Sequence, residues 1–75
     1  MNKQRRQKII GIIQNINQSI DELRVVRDDE ESAFDNMPEG LQWSMRGEES
    51  QEAIDCMDNV IEQIEEAVEE LREVL

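Results

Sequence analysis

Histidine and tyrosine are both missing from this 75-residue chain, and proline, cysteine, tryptophan and phenylalanine occur once each. Without histidine, nucleophile–base pairs that depend on an imidazole are excluded, as are the Glu-x-x-His di-metal sites built into helix bundles. The single cysteine, Cys56, permits no internal disulfide, which fits a reducing compartment. It is read as a bystander thiol between acidic neighbours, Asp55 and Asp58, rather than as a nucleophile. Two aromatic residues leave a β-sheet little to pack with. No apolar run approaches the ~20 residues that span a bilayer. The start of the chain is basic like a signal peptide, but Gln14, Asn15, Asn17 and Gln18 break the apolar segment that would have to follow. The expected location is therefore cytoplasmic. No glycine-rich phosphate loop occurs, and the Asp28–Glu31 run lacks the glycine and ligand spacing of a calcium loop. These absences together predict a non-enzyme with no cofactor, no metal and no small-molecule substrate.

What is abundant is acid. Nineteen Asp and Glu against eight Lys and Arg leave a net charge of −11. That field repels phosphate, so direct contact with nucleic acid or an anionic membrane is not expected, whereas basic proteins remain open as partners.

The second abundance is periodic. Ile54, Met57, Ile61, Ile64, Val68, Leu71 and Leu75 recur at alternating steps of three and four, the a/d seam of one heptad helix. Ala53, Val60, Ala67 and Val74 form a second apolar line one residue before each a position. Earlier in the chain Ile9, Ile12, Ile13, Ile16, Ile20, Leu23 and Val26 follow the same helical spacing, and Ala33 resumes it seven residues past Val26. Between the two segments Asp35-Asn36-Met37-Pro38-Glu39-Gly40 is the one strong connector, since Pro38 cannot continue a helix and displaces Met37 from helical geometry. Ser44 is placed as an N-cap, with Glu48 and Glu49 in the first turns where the helix dipole favours negative charge.

The expected fold is all-α: one domain, 1–75, forming an antiparallel two-helix hairpin. Helix 1 covers about 2–34, a connector with a short helix about 35–44, and helix 2 about 45–75. Residues 1–27 carry net +4 and residues 48–75 net −10. Antiparallel pairing is expected to place Lys3, Arg5, Arg6 and Lys8 beside Glu65, Glu66, Glu69, Glu70 and Glu73. Two helices need only one seam, so the surplus apolar line predicts first a homodimer forming a four-helix bundle, with a groove filled by a partner's helix as the alternative. The expected core and oligomer interface comprises Ile9, Ile13, Ile16, Ile20, Leu23, Ile54, Met57, Val60, Ile61, Ile64, Val68 and Leu71. Phe34 and Leu41 are assigned to a small core closing the tip over Ala33 and Ala53. Trp43, with Met45 and Arg46, is either part of that tip or an exposed docking patch.

The central block, Ala33-Phe34-Asp35-Asn36-Met37-Pro38-Glu39-Gly40-Leu41-Gln42, then Arg46-Gly47-Glu48 and Glu52-Ala53-Ile54-Asp55, resembles a group of short, acidic helical-hairpin proteins from Firmicutes genomes, prophages and mobile elements. They share an AFDN-[LM]-PE-x-LQ…RGE…EAID centre between two amphipathic helices. The resemblance implies a bacterial or phage origin and carries no activity with it. Trp43 and Met45 stand where that group is expected to have polar residues.

Two functions compete on this reading. The first is a self-associating interaction module that binds a further protein. The second is a mobile-element inhibitor whose anionic rail, Glu48, Glu52, Asp55, Asp58, Glu62, Glu65, Glu66, Glu69, Glu70 and Glu73, mimics nucleic acid and blocks a basic cleft.

Overall fold

A computed structural model describes residues 1–75. Two long helices, α1 (Lys3–Asp35) and α3 (Met45–Arg72), are joined through a single turn of helix, α2 (Glu39–Gln42). No strand is present. The long helices pack antiparallel into a rod of 58 × 16 × 11 Å. No helix is long and apolar enough to cross a membrane.

Local chemistry sets the ends. The Asn2 side chain accepts a hydrogen bond from the Arg5 backbone N–H at 2.9 Å and caps α1. At the other end Asn36 N–H donates to Ser32 and Met37 N–H to Phe34, after which Pro38 ends the helical register. Pro38 then opens α2, its carbonyl accepting from Leu41 and Gln42. Ser44 occupies the N-cap position of α3, and its carbonyl accepts from Glu48. The expected side-chain cap does not form, because the Ser44 hydroxyl turns back to donate to the Leu41 carbonyl.

The seam follows the heptad. On α3 the buried residues Gly47, Ile54, Ile61 and Val68 are a positions; Ser50 is a buried d position, and Met57, Ile64 and Leu71 are half-buried d positions. On α1, Ile13 and Ile20 are buried and continue through Arg27 to Phe34, while Ile9, Ile16, Leu23 and Glu30 supply the half-buried d line. Val26 is therefore not a seam residue. It is 55% exposed, Ile12 is 52% exposed, and Arg27 holds the place next to Val26. Val26 and Ala33 are indeed seven apart, but their line is the one adjoining the seam.

Cross-helix bonds give the register. Glu30 meets Ser50, Arg27 meets Asp58, Arg24 meets Glu65, and Ile20 shares a groove with Ile64. Carried further in the same steps, Ile13 lies opposite Leu71 and Ile9 opposite Leu75. The first eight residues thus run past the end of α3. Lys3, Arg5, Arg6 and Lys8 accordingly make no ion pair within the chain, and the expected pairing with Glu65–Glu73 is overturned by this offset.

Candidate interaction surfaces

The two flanks of the hairpin differ in chemistry. Arg24 and Glu65 both occupy e positions and bond at 2.6 Å, so the e lines of α1 and α3 share a flank. On that flank Arg27, reaching out from the seam, donates to Asp58 Oδ1 at 2.7 Å and Oδ2 at 3.3 Å, and also bonds Asp28 and Glu31. The hydrogen bond that Arg27 donates to Asp58, helped by those to Asp28 and Glu31, pushes the guanidinium pKa up against the desolvation that would lower it. Asp58 and Glu65, assigned from the sequence to the anionic rail, are thus engaged in bridging the helices. The arginines that face α3 are Arg24 and Arg27 rather than the N-terminal cluster.

If the e lines share one flank, the g lines must share the other. There Ile12, Ser19, Val26 and Ala33 of α1 run beside Val74, Ala67, Val60 and Ala53 of α3, and all eight are exposed. Of the twelve residues expected in the core and interface, eleven are buried or half-buried; Val60, at 37% exposure, is the one left on the surface. Part of this flank is concave. A groove of about 340 Å³ opens between the helices, lined chiefly by Ile12, Ile16, Ser19, Ile20, Leu23 and Ile64.

The tip is a third surface. Phe34 and Met37 are half-buried, and the Gln42 side-chain amide donates to the Phe34 carbonyl at 3.1 Å, tying α2 to the end of α1. Leu41 does not join them in a small core: it is 42% exposed, and Ala33 and Ala53 also face solvent. The contact that brings α2 onto α3 is made instead by Gly47, where an added Cβ would lie 2.1 Å from the Gln42 carbonyl oxygen. Trp43 and Met45 stand out at 79% and 75% exposure, with Arg46 exposed beside them.

Along α3 every residue of the anionic rail is exposed. Glu69 pairs with Arg72 and Asp55 accepts from Gln51, while Glu48, Glu52, Glu62, Glu66, Glu70 and Glu73 make no ion pair within the chain. The polar contacts that periodicity did not reveal are Glu30 with Ser50 and Arg27 with Asp58. Their signal was present in the spacing, since Arg27 and Glu30 continue the lines of Ile20 and Leu23. No protein-family model, curated protein or solved structure matches the chain.

Proposed function

We propose that this chain is a non-catalytic protein–protein interaction module. Two copies pair through their apolar flanks into a four-helix bundle, and the tip, with Trp43, Met45 and Arg46, docks a further protein. One observation carries the self-association: the hairpin closes its e flank with ion pairs and leaves g lines that are apolar at every position but Ser19 in water on the other. An uncompensated apolar line of this length is the usual mark of a face that is covered in the working assembly. Exposed tryptophan and methionine beside an arginine have the composition of binding hot spots. The resemblance of the Ala33–Gln42 block supports a bacterial or phage origin.

Sedimentation equilibrium tests the pairing. A dimer is expected at tens of micromolar, with a thermal midpoint that rises with protein concentration. Replacing Ile12 and Val60 by Glu, both exposed within the hairpin, should give a monomer that keeps its helicity. A wild-type monomer with full helicity at those concentrations would sink the proposal.

The run of unpaired carboxylates on the outer face of α3 favours a second reading, in which the rail occupies the basic cleft of a nucleic-acid-binding protein. The rail and the apolar flank are separate surfaces, so the pairing does not preclude it. Capture of host proteins at low and high salt decides this: partners with basic clefts released by salt support it, and salt-insensitive partners end it.

A further inference from the structure

Resting on the self-association just proposed, we infer that the second copy lies antiparallel to the first, with the tip of each hairpin against the open end of the other. The exposed g residues form four rungs across the flank, each pairing one residue of α1 with one of α3. From the open end they are Ile12 with Val74, Ser19 with Ala67, Val26 with Val60, and Ala33 with Ala53. The order is large, small, large, small. Seven residues separate successive rungs, about 10.5 Å of helix.

Two such ladders laid in the same direction put large rungs on large and small on small, crowding one layer and leaving a void in the next. Turned end over end about a two-fold axis between the second and third rungs, the ladder falls on itself with large against small throughout. Ile12 and Val74 then meet Ala33 and Ala53 of the other copy, and Val26 and Val60 meet Ser19 and Ala67. Interdigitation of this kind is what close packing of facing layers requires. The groove of about 340 Å³ lies at the Ser19 rung, floored by Ile16, Ile20, Leu23 and Ile64, where the antiparallel copy delivers a valine rung.

Charge selects the same arrangement independently. Lys3, Arg5, Arg6 and Lys8 overhang the open end with no ion pair, and Asp35, Glu39, Glu48 and Glu49 lie at the tip with none. All eight are exposed. The axis that matches the rungs carries residues 3–8 of one copy to the level of residues 37–42 and 44–49 of the other, alongside Glu39, Glu48 and Glu49 and within a turn of Asp35, with Arg46 the one cation among them. A parallel pair instead sets four cations beside four cations and tip acids beside tip acids. Each pair is weak alone, but the difference between eight unlike and eight like neighbours fixes a direction.

Intermolecular distances between spin labels test the orientation. In a Cys56→Ser background, Gly40→Cys places a nitroxide at the tip, where an added Cβ meets nothing within 4 Å. Gln4→Cys places one at the exposed open end. Circular dichroism checks that both variants keep their helicity. The antiparallel pair predicts a tip-to-tip distance of about 55 Å from the helical rise, and a short distance in a mixture of the two labelled chains. A tip-to-tip distance under about 25 Å, as helices packed side by side at their tips would give, overturns the orientation while leaving self-association standing. Absence of any intermolecular coupling in either sample overturns both.

Discussion

Gly47 and Gly11 are the same residue type in the two long helices, and the same substitution should act on them with opposite sign. At Gly47 a methyl group would stand 2.1 Å from the Gln42 carbonyl oxygen and 2.7 Å from that of Leu41. Both obstacles are backbone, so the connector itself must move. Gly47→Ala is expected to cost about 1–3 kcal/mol, the range for overpacking a close contact, and to lower the urea midpoint. At Gly11 nothing lies within 4 Å, so Gly11→Ala should stabilise the helix by up to ~1 kcal/mol through propensity alone. Equal effects of one sign would contradict the close approach at Gly47. Ser50 makes a third residue-level case. Its buried hydroxyl donates to Glu30 Oε1 at 2.6 Å, a charge-assisted bond within the seam. Ser50→Ala leaves that carboxylate without its donor and should cost about 1–2 kcal/mol. A double-mutant cycle with Glu30→Ala checks the assignment, since energies that merely add would mean the two groups do not couple.

Between residues and molecule lies the helix pair, and here the sequence was legible where apolar spacing was strong. Ile54 through Leu71 lie on the seam as the heptad predicts, and Pro38 breaks the chain where a proline must. Legibility failed where polar side chains took seam positions. Arg27 and Glu30 fall on the lines of Ile20 and Leu23, yet a charge run reads as solvent-facing, so the apolar neighbour Val26 looked like the better candidate. The offset of the helices was hidden for a related reason. Charge totals favour an antiparallel direction but say nothing of register, and register follows from particular pairs such as Glu30 with Ser50. At the tip, Leu41 looked like core on hydrophobicity, while Gly47, which has no side chain to signal burial, makes the packing contact. The polar half of the seam leads to a ranking. Arg27 reaches Asp58 from a side chain 22% exposed, whereas Arg24 reaches Glu65 from one 44% exposed. Exposed ion pairs contribute little, and better-shielded ones with several hydrogen bonds contribute more. Arg27→Ala should therefore lower the thermal midpoint more than Arg24→Ala, and Asp58→Asn should reproduce a large part of the Arg27 effect. Equal midpoints for the two arginine variants would show that the Arg27 bonds are surface decoration.

For the whole molecule, net charge and local charge pull in opposite directions, which makes the assembly testable by neutralisation. Two copies at −11 each repel at long range, and physiological salt screens that repulsion over about 8 Å. Removing Lys3, Arg5, Arg6 and Lys8 would take each copy to −15, so weaker pairing of that variant follows from net charge and from local contacts alike. It discriminates nothing. The tip acids do discriminate. Changing Asp35 to Asn and Glu39, Glu48 and Glu49 to Gln takes the chain from −11 to −7, and if only net charge mattered, the pair would bind more tightly. If these acids receive the basic overhang of an antiparallel copy, their loss removes four attractive contacts, and the pair should bind more weakly, with a dissociation constant raised roughly tenfold for a loss of ~1.4 kcal/mol. The four positions are exposed and lie off the apolar rungs, so helicity at high protein concentration should be preserved. Sedimentation equilibrium of the quadruple variant against wild type at the same salt reads the sign directly, and tighter association would remove the overhang–tip contact from the account.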